Sequence, residues 1–535
     1  MKGKGGTAVE TSFLDDFSGG VNFIESPYTL PSPYSAPGMF NATLRGRMLV
    51  SRFGTILAGT LGAASKYIFY SSKLDFFISQ EGTGLYSYTI SATNQALAGR
   101  TLLKTFSTSD KVQAVEFTGL LVVVHPVDGV FTWNGAGVIG AAVTVAVKGS
   151  CICAWQNKVW VGGDPGNPSR IWWSNAGTAA TWTTATDFVD LREVNDFAIT
   201  AIGVGNGMDV VGRGSMQVFK ATSSYRVYSA STGAYITIDA YRGAATSESV
   251  TSVAGHIYFC NFYGIYRLDG DTVVTLSDAI RPDWDFGTTY GNPYTCWAAW
   301  DRAYFSNLGS SSTGDGNATS HRHYWELIPE RNAWFPHGFR TAGAVYTAPY
   351  SATRFAKGAS GPLNSALVLA DDQVSVLVMP HHPQGASASF ATPPVPKDYY
   401  TGGAGNSIPV KFSFPPIHKQ LKRFSLQQMR IQGWAAANAA ADVRMWFQGN
   451  GEQPYDPPGV YSDFRLSSIN QTNQSQYGSP AVPTGAYTSL TPIITATPTA
   501  LQTVSQFGAF SLGAADQVLP SIGISALEAR VAMHE

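Results

Sequence analysis

The chain has 535 residues, enough for three or four domain-sized units, unless one all-β unit takes a large share, and ample for a sizeable core. Its 55 glycines and 29 prolines, with 13% charged, 44% hydrophobic and 13% aromatic residues, make a turn-rich, β-leaning composition that excludes a helical coiled coil and intrinsic disorder. A net charge of −1 supplies no global basic field for gripping nucleic acid or an anionic membrane.

The amino end, Met1-Lys-Gly-Lys-Gly-Gly6, carries charge but lacks the apolar run of a signal peptide, and no long apolar stretch follows, so a soluble chain made in the cytoplasm with no membrane span is expected. Residues 1–65 hold Phe17-Ser-Gly-Gly-Val-Asn22, Ser26-Pro27-Tyr-Thr-Leu-Pro31, Pro33 and Pro37. Prolines at this density oppose helix and favour an extended Pro/Gly-rich arm, with entry strands to the repeats, suited to lying on a neighbouring subunit.

From about 66 to 380 a unit recurs: a short apolar strand, a Gly-containing turn, and a second strand rich in aromatics. Its copies are Leu74–Ile78 with Leu85–Tyr88, Leu120–Val124 with Val130–Trp133, Val159–Val161 with Ile171–Trp173, and Asp209–Val211 with Met216–Phe219. Ile257–Phe259 with Ile265–Leu268, a weaker copy at Tyr304–Phe305 with Tyr324–Trp325, and Leu367–Leu369 with Val374–Leu377 complete the series. A spacing of roughly 40–50 residues is that of four-stranded propeller blades, so an all-β fold with a β-propeller of six or seven blades is expected. A β-sandwich built from ordinary hairpins is the alternative, because turn spacing alone does not separate the two.

Residues 381–409 read as a Gly/Ala/Ser/Pro-rich connector. Residues 410–535 read as a separate antiparallel, sandwich-like β domain, since Phe424, Leu426, Met429 and Ile431, and then Val443, Met445 and Phe447, alternate with polar residues. Its polar, charge-poor interval at about 450–500 reads as an insertion that makes contacts between subunits.

Candidate chemistry is sparse, and no catalytic, cofactor-binding or metal-binding residue is assigned. Gly203-Val-Gly205-Asn-Gly207 lacks the helix that a dinucleotide loop opens. His321, His323, His381 and His382 have no matching third ligand nearby, and Asp315, Asp371 and Asp372 fit turns. Cys151, Cys153, Cys260 and Cys296 read as reduced core residues. The sequons at Asn41, Asn317, Asn470 and Asn473 are expected to be unmodified without a secretion signal. Lys419, Lys422, Arg423 and Arg430 form one basic cluster, which suits an edge strand or subunit contact better than nucleic-acid readout.

Several segments together resemble the tail nozzle (tail tubular) proteins of short-tailed bacteriophages. They are Phe17–Asn22 with Ser26–Pro31 and Leu44–Gly54, Trp160–Asn175, and Gly255–Gly270 with Ile280. The resemblance covers about 1–60 and 150–285, and the rest by architecture. It implies a structural, non-enzymatic virion protein: a homo-oligomeric ring of six copies below the portal and head-to-tail adaptor, touching other tail proteins and tail fibres. Its central channel would conduct the genome out of the capsid. Near-neutral charge suits transient, non-specific passage of DNA, because each neutralised phosphate adds affinity, so the lumen is expected to be neutral to acidic. The alternative function is a carbohydrate-binding or carbohydrate-cleaving propeller that recognises a host surface, with 13 Trp and 25 Tyr available to stack on sugar rings.

Overall fold

The computed structural model describes residues 9–14, 16–22, 34, 39–45, 48–52, 55–90, 96–204, 216–253, 255–281, 284, 294–299, 301–307, 324–340, 346–347, 349–355, 365–370 and 373–379. Beyond these it describes the backbone of the strands between 397 and 534. The fold is all-β, with one short 3-10 helix, Ser277–Ile280, among the described residues.

Seven antiparallel sheets follow one another as the blades of a seven-bladed β-propeller. Blade 1 is Ser65–Ser71, Phe76–Glu81, Gly84–Ile90 and Leu97–Thr105, and blade 2 is Gln113–Phe117, Leu120–His125 and Gly129–Trp133. Blade 3 comprises Cys151–Trp155, Lys158–Asp164, Asn167–Trp173 and Phe188–Asp190; blade 4 comprises Ile199–Val204, Met216–Lys220, Ser224–Val227 and Tyr235–Asp239. Blade 5 comprises Val250–Val253, His256–Asn261, Gly264–Asp269 and Thr272–Thr275, and blade 6 Tyr294–Ala299, Arg302–Asn307, Tyr324–Ile328 and Ala333–His337. Blade 7 takes Pro349–Phe355, Ser365–Ala370 and Ser375–Met379 from the end of the repeat region, and Ile56–Thr60 from its beginning.

Packing explains why the pattern is legible as repeats. A second strand such as Leu120–His125 is buried almost throughout, because neighbouring blades cover both of its faces. Among the described residues, seven apolar clusters fill seven seams. Phe131 and Ile78 share the seam of blades 1 and 2, while Leu367, Leu369 and Val376 of blade 7 meet Ile68 and Phe77 of blade 1. The other five lie at the intervening seams, so the ring is closed. The strand Ile56–Thr60 pairs with Ser375–Met379 and ties the two ends of the ring, covering an edge that would otherwise invite aggregation. The propeller therefore draws a strand from the stretch read as arm and entry strands, and that strand joins the last blade instead of the first.

Two local readings change. In blade 4, Met216–Phe219 belongs to the second strand, not the third, and its own partner is Ser224–Val227. The turn between them, Ala221-Thr222-Ser223, has no glycine to mark it, while Asp209–Val211 lies outside the described residues. Blade 2 has three strands, and its outer edge is closed by a bridge from Val130 to Thr144. Gly129 permits this approach: its φ is +100°, and a Cβ there would lie 2.2 Å from the Thr144 carbonyl oxygen.

The carboxyl region forms two antiparallel sheets. In one, Ile522–His534 pairs with Arg423–Ala435, and also with Val9–Leu14 and Met48–Ser51 from the amino end. In the other, Ser489–Thr499 pairs with Ala440–Gly449 and Val410–Ser413, and Tyr461–Leu466 adds to the far side of Ala440–Gly449. The interval read as a polar insertion thus carries sheet strands. Alternation there is masked by Thr, Ser and Pro, as in Ser-Leu-Thr-Pro-Ile-Ile-Thr-Ala-Thr-Pro-Thr at 489–499.

Candidate functional site

Charge is rare in this chain, so the places where it is buried are informative. The first lies where the arm meets blade 6. Arg302 opens the second strand of that blade, Glu326 sits mid-way in the third between Trp325 and Leu327, and His337 ends the fourth. Arg302 is ion-paired with one Glu326 oxygen, and the His337 Nε2 is 2.6 Å from the other. From the arm, Thr43 Oγ1 and the Leu44 carbonyl accept from the Arg302 guanidinium at 2.9 and 3.0 Å. Arg52, itself buried, donates to Asn41 Oδ1 at 2.8 Å and to the Gly338 carbonyl at 2.6 Å. The Gly338 N–H returns a bond to Asn41 Oδ1 at 3.0 Å.

Burial alone would push the Glu326 carboxyl up, but Arg302 and His337 outweigh it and hold the group at about 2. Burial pushes the His337 imidazole below its ordinary value despite Glu326. A neutral His337 donating from Nε2 to the carboxylate satisfies both shifts. A carboxylate and an imidazole in contact can serve proton transfer; here both are buried, and Glu326 and its partner Arg302 share hydrogen bonds with Thr43 of the arm, so the arrangement anchors the arm.

Backbone contacts extend the anchor. The Val21 N–H donates to the Trp334 carbonyl at 3.0 Å, and the Asn41 N–H to the Pro336 carbonyl at 2.9 Å. Gly20 bridges Trp334 with φ +68°, and a Cβ there would lie 2.5 Å from the Trp334 nitrogen. The described part of the arm, expected on a neighbouring copy, therefore finds partners in its own chain, where the outer edge of blade 6 offers unpaired carbonyls. The hairpin Ala42–Arg45 and Met48–Ser51 touches blade 6 on one side and pairs with Ile522–His534 on the other, joining propeller and carboxyl sheet.

The second site spans the propeller axis. Lys111 precedes the innermost strand of blade 2 and Glu248 that of blade 5, and the two form an ion pair. Glu248 also accepts from Ser351 Oγ of blade 7 at 2.6 Å, while Gln113 Nε2 donates to Ser247 Oγ at 2.9 Å. Blades 2 and 5 are not neighbours, so these bonds cross the axis.

On the same end of the ring, where first strands begin and second strands turn into third, aromatic side chains stand out. Phe197 is 58% exposed, Tyr241 85% and Tyr263 60%. Nearby, the fully buried Lys220 donates to Ser169 Oγ at 3.2 Å and to the Leu191 and Asn195 carbonyls, holding the loop that leads to Phe197. Burial pushes its ammonium down to about 8.

The residues weighed from sequence fall elsewhere. His321, His323, His381, His382, Asp315, Asp371, Asp372, Lys419, Lys422, Asn317, Asn470 and Asn473 lie outside the described residues, as do Gly205 and Gly207. Arg430 stands opposite Glu528 in the carboxyl sheet, and Arg423 opposite His534. Asn41 is fully buried in the arm anchor, out of reach of a glycosyl group. All four cysteines are free and buried. Arg302, Glu326, His337 and Arg52 were not singled out from sequence. A usable signal was present: in so uncharged a chain, Glu326 interrupts the aromatic-apolar run Tyr-Trp-Glu-Leu-Ile. No cluster of three or more metal-ligating His, Cys, Asp or Glu side chains exists among the described residues, and no described helix is long and apolar enough to cross a membrane.

No family model and no curated protein matches the chain. Among solved structures it is similar to a chain of the mitotic checkpoint complex, at 10% identity and TM-score 0.39, over 65% of this chain and 98% of that one. It is also similar to BamB from Moraxella catarrhalis, at 10% identity and TM-score 0.34, over 65% of this chain and 99% of that one. Neither likeness is close enough to bear on function.

Proposed function

We propose that this chain is a structural, non-enzymatic subunit of a bacteriophage tail, made in the host cytoplasm and resident in the virion, where a ring of copies surrounds the channel of genome ejection. The observation that carries this reading is the path of the arm. It supplies strands to the carboxyl sheet, an anchor on blade 6 and the strand that closes blade 7. Load applied near either end of the chain is thereby spread over β ladders and a buried ion cluster instead of falling on a single loop. The ion pair of Lys111 and Glu248 across the propeller axis suits the same role, in which the channel for DNA lies between copies and not within one propeller. The head-to-tail adaptor, other tail proteins and tail fibres are the partners this role requires.

Single-particle imaging of the chain, alone and co-expressed with the adaptor, tests it. Six-fold rings with an open, neutral to acidic channel are expected; a chain that stays monomeric in both cases contradicts the reading, and a lumen ringed by Lys and Arg contradicts the low-friction part of it.

A second reading, a carbohydrate-binding propeller, is favoured by the exposed Phe197, Tyr241 and Tyr263 on one end of the ring. Glycan-array binding by the monomer that is lost in Tyr241→Ala and Tyr263→Ala, with no ring formed, would select it.

A further inference from the structure

On the seam between blades 5 and 6 two cysteines meet. Cys260 lies in the second strand of blade 5 and Cys296 in the first strand of blade 6, with their sulfurs 3.3 Å apart. Both are buried, unbridged thiols packed among Tyr258, Phe305, Trp325 and Trp334. Their backbones grip the segment that carries Glu248: the Cys260 N–H donates to the Ser249 carbonyl at 3.0 Å, and the Cys296 N–H to the Glu248 carbonyl at 2.6 Å. Cys151 and Cys153 differ, because they share one strand, and the Cys153 sulfur faces the Met216 sulfur at 3.5 Å.

We propose that Cys260 and Cys296 are a site of covalent modification, a disulfide that staples blade 5 to blade 6 when the chain meets a small-molecule disulfide oxidant. A disulfide bond is about 2.05 Å long, so the sulfurs need approach by little more than ~1 Å. In the first step the Cys260 thiol gives up its proton and its sulfur attacks one sulfur of the oxidant, forming a mixed disulfide and expelling a thiolate. The Cys296 thiolate then attacks the Cys260 sulfur, the protein S–S bond forms, and the second thiolate leaves. Two protein thiols lose two electrons, the oxidant gains them as two thiols, and the two protons pass to the leaving groups. Burial pushes the Cys296 thiol well above its ordinary value, which makes the reaction slow in the closed ring and routes it through openings of this seam. The bond closes a loop of the intervening chain and fixes the two carbonyls that position Glu248 across the axis.

The staple does not depend on the tail reading. If that reading holds, the bond closes after the particle leaves the reducing cytoplasm.

The test uses the full chain, purified reduced and then held in oxidised glutathione. Samples are unfolded in N-ethylmaleimide, digested without reductant and weighed. The expected result is one cross-linked peptide pair joining Cys260 to Cys296, two hydrogens lost per chain, Cys151 and Cys153 alkylated, and full reversal by dithiothreitol. Unfolding of the oxidised chain should slow by roughly tenfold, a change absent from Cys260→Ser under the same oxidant. The mass result on the unmutated chain stands even if that variant folds poorly. Alkylation of all four cysteines after oxidation, glutathione retained on one of them, or a cross-link through Cys151 or Cys153 overturns the proposal.

Discussion

Two ion pairs of the same chemistry sit in this molecule in different surroundings. Arg302 and Glu326, at the arm anchor, have side chains 16% and 5% exposed, with His337, Thr43 and Leu44 supplying the remaining hydrogen bonds. Lys111 and Glu248, at the axis, have side chains 30% and 8% exposed, and Lys111 keeps part of its hydration. Charge taken out of water must be matched by partners, and once matched it is costly to break; charge left partly in water is screened. The anchor should therefore fix the fold, whereas the axial pair should adjust it.

The largest expected effect comes from Arg302→Ala. Leaving Glu326 buried and uncompensated should cost about 3–5 kcal/mol in urea unfolding, and hydrogen exchange should show the arm loosened first. A loss no larger than that of an exposed pair would mean that Glu326 finds other partners and that burial is not what sets the weight.

Acid should act next. Glu326 has a folded value of about 2, below its ordinary value, so it contributes stability above the ordinary carboxylate range and loses it as pH falls toward 2. His337 is also held below its ordinary value: as pH drops through about 6.5 the unfolded chain takes up a proton that the folded chain refuses, and stability falls in the same direction. Between pH 7 and pH 3 Glu326 should account for about 2 kcal/mol of the loss, and His337 adds to it in the same direction. Urea midpoints between pH 7 and pH 3 should show this, and Glu326→Gln should flatten it.

How far this was legible in the sequence depends on what marks each feature. Blades could be read because second and third strands are covered on both faces and announce themselves as apolar or aromatic runs, as in Leu120–His125 and Gly129–Trp133. Outer strands such as Phe188–Asp190, half exposed and short, left no comparable trace. Ring closure by Ile56–Thr60 and the weaving of Val9–Leu14 into the carboxyl sheet are long-range pairings, which local patterns do not encode. The anchor was hidden for the same reason, since Asn41 and Gly338 are far apart in sequence and Asn41 carried only a sequon.

Gly20→Ala probes the anchor without touching its charges. A side chain at φ +68° that also meets the Trp334 backbone should cost roughly 1–2 kcal/mol and expose the chain near Phe17 to limited proteolysis. Unchanged cleavage would show that segment 17–22 is not held by blade 6.

The smallest effect should come from Lys111→Ala, about 1 kcal/mol or less and shrinking further in high salt. A loss as large as that of Arg302→Ala, and insensitive to salt, would erase the distinction between the two pairs.

The claim on which the rest depends is that the arm is fixed to blade 6 as firmly as the blades are to one another. Amide hydrogen exchange at Val21 and Asn41 measures it directly, because their N–H groups donate to the Trp334 and Pro336 carbonyls. Protection close to that of Val122 and Val123 in the core of blade 2 is expected, with its collapse at both amides in Arg302→Ala. Exchange at Val21 and Asn41 at the rate of an open chain, with blade 2 still protected, would contradict it.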